Sequence, residues 1–142
     1  MTRLTEYHGR TAIVTGASSG IGAQLARDLA GRGMRVALLA RRADRLEALA
    51  AEIAKSGGEA MTVACDVVEQ ASVDRAIGAV LERWKTCDVL VNSAGYGRHV
   101  LFKDHDVADI ERMMRTNYFG TVYTIKAVLP AMRRQGRGWI VN

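Results

Sequence analysis

The sequence predicts a doubly wound parallel α/β sheet, and three observations carry that expectation. Short apolar segments of strand type alternate along the 142 residues with longer segments whose apolar residues recur at helical spacing. The strand segments are apolar at consecutive positions, as strands covered on both faces are. The first strand enters its helix through a turn with three glycines, Thr15-Gly16-Ala17-Ser18-Ser19-Gly20-Ile21-Gly22. Right-handed crossovers between such units give five strands in the order 3-2-1-4-5, within one domain over residues 1–142.

Taken in order, Arg10–Thr15 is the first strand, and Gly20–Arg32 is a helix with Ile21, Leu25, Ala26 and Leu29 on one face. Arg35–Ala40 is the second strand. Ala43–Lys55 is the second helix, with Leu46, Leu49, Ala50 and Ile53 as its apolar stripe and Gly57-Gly58 past its end. Ala60–Cys65 is the third strand, and Val73, Ala76, Ile77, Val80, Leu81 and Trp84 mark the helix after it. Asp88–Asn92 is the fourth strand. Val107, Ile110, Met113 and Met114 mark one further helix, and Val122, Ile125, Val128, Leu129 and Met132 another, which Pro130 is expected to kink or end. Gly136–Gly138 form a turn, and Trp139-Ile140-Val141-Asn142 begin strand five.

Composition excludes several classes. Hydrophobic content of 49% with 25% charged residues is ordinary for a globular domain. No apolar run reaches the length of a membrane span and the first residues lack a signal-peptide core, so a cytoplasmic location is expected, with no membrane partner. Cys65 and Cys87 lack C-x-x-C spacing, and His8, His99 and His105 are scattered, so no metal site is expected. The net charge of +5 is spread over helix faces and turns, with Arg41-Arg42-Arg45 and Arg133-Arg134-Arg137 as the main clusters. A solvated surface and an anionic cofactor account for it more simply than nucleic acid does.

Glycines packed into a strand-to-helix turn are costly to order. They let the backbone turn tightly and bring an anion up to the helix N-terminus, where free N–H groups and the dipole attract it. The P-loop pattern fails because Ala23-Gln24 follow Gly22 where Lys and Ser or Thr are needed. The G-x-G-x-x-G fingerprint, begun at Gly20, fails at Leu25. What remains is Gly16-x-x-x-Gly20-x-Gly22 after Thr15, which resembles the classical short-chain dehydrogenase/reductase family, although a purely structural turn also uses glycine.

The resemblance implies a Rossmann fold and a nicotinamide cofactor, with pyrophosphate against Gly16, Ser18, Ser19, Gly20, Ile21 and Gly22. The tip of strand two carries Arg41 and Arg42 and no carboxylate, which favours a 2′-phosphate and hence NADP over NAD. Surface charges at a helix start are the other reading of these arginines, though a helix start favours acids. At the end of strand three, Asp66 and Val67 would hold the adenine by the resemblance; Asp66 as a cap of the next segment is compatible with that. Asn92-Ser93-Ala94-Gly95 resembles the family's Asn-Asn-Ala-Gly motif with Ser93 in the second Asn position. Ala94 and Gly95 are expected close to the ribose, and Asn92 is expected to bridge neighbouring strands. Asn117 is the expected catalytic-support residue: in the family an Asn here interrupts the helix and positions the water of a proton relay.

The family transfers hydride between nicotinamide and a carbonyl or alcohol carbon, with a Tyr proton donor in Tyr-x-x-x-Lys and a Ser hydroxyl. Tyr7, Tyr96, Tyr118 and Tyr123 are followed four positions later by Thr11, Val100, Val122 and Ala127, and Tyr123 and Lys126 are one residue too close. The expectation is an NADP-preferring carbonyl reductase or alcohol dehydrogenase acting on a small molecule. This chain would be its incomplete N-terminal portion, inactive alone, from an enzyme that is homo-oligomeric when whole. A non-catalytic nucleotide-binding regulatory module is the alternative. An S-adenosylmethionine methyltransferase ranks third, since it favours an acid at the tip of strand two.

Overall fold

The computed structural model describes residues 6–142. Five parallel strands form one sheet: β1 (Thr11–Thr15), β2 (Arg35–Ala40), β3 (Glu59–Ala64), β4 (Val89–Asn92) and β5 (Trp139–Val141). Their order is β3-β2-β1-β4-β5, the doubly wound order expected. Helices α1 (Gly20–Gly31), α2 (Ala43–Lys55), α3 (Gln70–Trp84), α4 (Val107–Met114) and α5 (Gly120–Arg134) connect them. Strand bounds differ from the sequence reading by one residue at the start of β1 and β4 and at both ends of β3.

The two-residue period of a strand divides the core into two layers. Ala12 and Val14, Val36 and Leu38, and Val89 and Val91 point to one face, where α1 supplies Ala23, Ala26 and Ala30, and α2 supplies Leu46, Leu49 and Ile53. Ile13, Ala37, Leu39 and Leu90 point to the other, against Val73, Ile77, Val80 and Trp84 of α3 and Val128 and Met132 of α5. Small alanines on α1 bring that helix close to β1, which places the turn before it directly above the strand ends.

Three expectations need correction. Ile21 is 76% exposed and stands outside the core, because it lies in the first turn of α1, beyond the ends of the strands. Val107, Met114 and Leu129 are exposed as well. Pro130 neither ends nor interrupts α5, which runs on to Arg134. Pro130 and Lys126 both face solvent, so water can satisfy the carbonyl that the missing proline N–H leaves free. Between α4 and α5 the chain does not break. It passes through one π-helical turn, Arg115–Phe119, which contains Asn117.

At the opposite end of the sheet from the glycine turn, one carboxylate joins three elements. Asp88 has a side chain 2% exposed and accepts the Thr11 N–H at 3.0 Å, Arg10 Nη1 at 3.1 Å and Arg137 Nε at 2.8 Å. Its own backbone donates to Thr11 O and accepts from Trp139 N. Burial alone would raise this carboxyl, but the Thr11 N–H and the two guanidinium groups more than offset it and hold it below the ordinary carboxylate range.

Both cysteines are buried free thiols. Burial pushes Cys87 up to about 12, with Asp88 adding to the effect, and burial raises Cys65 against a hydrogen bond with Ser72. Neither is a thiolate at neutral pH. Among the described residues, no three His, Cys, Asp or Glu side chains are grouped to hold a metal, and no helix is long and apolar enough to cross a membrane.

Candidate functional site

An open cleft of about 420 Å³ crosses the carboxyl ends of β1, β2, β3 and β4. Gly16, Ser18, Ser19, Gly20 and Ile21 form its floor above β1. Ala40, Arg41 and Arg42 close it beyond β2, and Cys65, Asp66 and Val67 beyond β3. Ser93, Ala94, Gly95 and Tyr96 wall it beyond β4, with Thr116 from the π turn. The strand order therefore sets Arg41, Arg42 and Asp66 at one end and Tyr96 and Thr116 at the other.

Gly16 holds the floor in place. Its φ is +67°, and a Cβ there would stand 2.8 Å from Ala94 Cα, Ala94 N and Ser93 O. The turn thus lies against the backbone after β4, and only glycine fits the contact. The Thr15 hydroxyl, just below, accepts N–H bonds from Ser93 and Ala94 at 3.1 Å each and donates to Val91 O. Gly22 lies outside the lining but permits it: a Cβ on Gly22 would be 2.6 Å from Gly16 O.

The helix start at this turn is uncapped and free of acidic side chains: Ser19, the N-cap of α1, makes no side-chain capping bond. The first-turn N–H groups therefore receive no bond from the Ser19 side chain. Arg42 Nη2 donates to Ser18 Oγ at 2.9 Å and to Ser19 Oγ at 3.0 Å, placing a guanidinium over the turn. Arg41 lines the same end and makes no hydrogen bond or ion pair among the described residues. Of the two arginines at the β2 tip, Arg42 is the one fixed to the turn.

Asp66 shapes the turn after β3, as a cap of the next segment would. It lines the cleft, while its Oδ1 accepts the Val68 N–H at 3.2 Å and its own N–H donates to Ser72 Oγ at 3.1 Å. Asn92 lies below the cleft rather than in its wall. Its Nδ2 donates to Asn142 Oδ1 at 2.8 Å and its Oδ1 accepts the Thr124 hydroxyl at 2.7 Å, bridging β4 to the end of β5 and to α5. Asn117 likewise lies behind the wall: its Oδ1 accepts the Tyr96 N–H at 3.0 Å and its Nδ2 donates to Tyr96 O at 2.9 Å. Gly95 permits this clamp, since a Cβ there would stand 3.0 Å from Asn117 Oδ1. Sequence reading gave no role to Thr15 and Thr116, whose positions depend on contacts between segments remote in the chain.

The family profile described as short chain dehydrogenase matches residues 10–142. The chain belongs to the short-chain dehydrogenase family. An uncharacterised oxidoreductase of Staphylococcus haemolyticus is 38% identical to this short-chain dehydrogenase chain over 139 residues, covering 98% of the chain and 59% of the relative. D-threitol dehydrogenase of Mycolicibacterium smegmatis is 40% identical over 134 residues, covering 94% and 52%. The chain thus spans little more than half the length of these curated relatives. Among solved structures, a metagenomic short-chain oxidoreductase in complex with NADP has a TM-score of 0.89 at 38% identity, covering 94% of this chain and 61% of that one. NAD⁺-bound xylitol dehydrogenase has a TM-score of 0.92 at 33% identity, covering 97% and 54%.

Proposed function

We propose that this chain is the cofactor-binding part of an NADP-preferring short-chain dehydrogenase that interconverts a carbonyl and an alcohol. One observation carries the preference: the Arg42 guanidinium is held on Ser18 and Ser19 over an uncapped helix start, with Arg41 beside it and no acid at the tip of β2. The solved relatives bind either cofactor, one with NADP and another with NAD⁺, so the preference rests on this chain's own β2 tip.

The cleft fits the cofactor residue by residue. The glycine turn from Gly16 to Gly22 leaves room and N–H groups for the pyrophosphate, and Ser18 and Ser19 add hydroxyls. Arg42 and Arg41 meet the 2′-phosphate by charge-assisted bonds. Asp66 and Val67 face the adenine, and Ala94 and Gly95 let the backbone approach the ribose. The bound nicotinamide supplies hydride chemistry. Asn117, behind Tyr96, supports the wall at that end and stands where the family's proton relay runs. Thr15 keeps the β1 and β4 ends together, which sets the width of the cleft.

None of the four tyrosines has a lysine four residues on, so the 142-residue chain alone is expected to show negligible carbonyl reduction with NADPH. Reduction by the purified chain, absent from a mock purification, would contradict this. The preference is tested by titrating the chain with NADPH, NADH and S-adenosylmethionine. Wild type should favour NADPH, and R42A should weaken NADPH about 10- to 100-fold, the worth of a hydrogen bond to a charged group, while changing NADH little. R41A should produce a smaller loss. An unchanged NADPH-to-NADH ratio in both variants would remove the phosphate role.

A further inference from the structure

Residues 93–101 leave the β4 end and travel towards α4 without helix or strand until the short 3₁₀ turn Phe102–Asp104. The segment has little apolar anchorage. Val100, Leu101 and Phe102 are 41%, 67% and 83% exposed. A segment so exposed opens readily unless polar contacts hold it. One such contact is the Asn117 clamp on the Tyr96 backbone. The other lies two residues further on. Arg98 Nη1 donates to Asp109 Oδ2, and Arg112 Nη2 donates to Asp109 Oδ1.

Asp109 is 7% exposed and sits in the first turn of α4. A buried carboxylate needs cationic or hydrogen-bonding partners, so it binds its two guanidinium groups firmly. The two do different work. Arg112 is on the same helix, at i+3, and restrains nothing outside it. Arg98 belongs to the irregular segment and is half-exposed, so its pairing ties that segment to the helix.

We propose that Arg98 and Asp109 are a positioning pair that holds the Tyr96 rim over the half of the dinucleotide remote from Arg42. The inference rests on the nucleotide reading above. Topology supports the placement: with the 2′-phosphate at the β2 tip, the rest of the cofactor extends across β1 towards β4, where Tyr96 lines the cleft. Loss of the pair leaves the adenosine end untouched and frees the rim, so affinity falls only for ligands long enough to reach it.

Calorimetric titration of the full chain with NADPH and with adenosine 2′,5′-bisphosphate, which lacks the nicotinamide half, separates the two ends. R98A should weaken NADPH about tenfold, the cost of ordering a loosened loop, and leave the bisphosphate unchanged. R98K, which can still pair with Asp109, should recover most of that loss, and R112A should affect neither ligand. Hydrogen exchange of the free chain provides a readout without ligand: the Tyr96 amide, which donates to Asn117 Oδ1, should exchange faster in R98A and not in R112A. Equal losses for both ligands, unchanged NADPH affinity, or unchanged exchange in R98A would each overturn the positioning role. Wild-type chain that binds neither ligand, with the exchange difference intact, would instead overturn the nucleotide reading of the cleft and the rim's part in it.

Discussion

Gly16→Ala is expected to destabilise the chain by about 3 kcal/mol, combining the cost of a left-handed residue with that of overpacking. It should also abolish detectable NADPH binding. The backbone at Gly16 has φ +67°, and the added Cβ would meet Ala94 and Ser93 backbone atoms at 2.8 Å. Those atoms cannot move aside cheaply, because the Thr15 hydroxyl holds the same two N–H groups to the end of β1. The floor and the β4 wall of the cleft must therefore separate, and the binding surface is lost along with the packing. Gly20→Ala provides the comparison. Gly20 also has a positive φ, of +57°, but a Cβ there meets nothing within 4 Å, so only the conformational cost of about 1 kcal/mol applies. Urea denaturation and NADPH titration of both variants read the difference. Equal effects in the two would show that close approach to Ala94 plays no part.

Asp88→Ala should cost about 3 kcal/mol, since it leaves a buried Thr11 N–H without its acceptor and two guanidinium groups without their counter-ion. The pH dependence has a definite sign. The Asp88 carboxyl lies below its ordinary range in the folded chain, so the unfolded chain takes up the proton first as pH falls. The advantage of wild type over D88A should therefore be complete above the unfolded carboxyl's pKa of about 3.9 and shrink as acid titrates the folded group below it. Urea melts of both proteins at pH 7 and at pH 3 test this. A gap that stays constant between the two conditions would mean that the carboxylate's charge contributes nothing.

The core helices and the strand order were legible because they follow from local pattern and the handedness of crossovers. Leu46, Leu49 and Ile53 declare the face of α2 by spacing alone, and the glycine turn between β1 and α1 marks where the cleft opens. The reading failed where position depends on another segment. Ile21 fits the helical stripe of α1, yet it lies past the strand ends with no sheet beneath it. Pro130 carries a strong local signal against helix, and the packing of Val128, Ala131 and Met132 on either side of it overrides that signal. Arg41 and Arg42 are indistinguishable as adjacent letters. Only the fold decides that Arg42 reaches Ser18 and Ser19. Thr116 was missed because only the fold brings the π turn to the wall of the cleft beside Tyr96.

The π turn at Arg115–Phe119 explains one more failure, through rotation. Met114 and Met132 are separated by 18 residues, about five whole turns of an ideal α-helix, and would share a face on an uninterrupted rod. In the structure Met132 is 5% exposed and Met114 is 48% exposed. A widened turn advances each residue by less than an α-helix does, so the rod beyond it is out of phase with the rod before it. α4 and α5 thus follow one another through the π turn, with Met114 exposed before it and Met132 buried after it. The turn works as a phase shifter, letting a single stretch of helix close the sheet with one half and present a separate surface with the other.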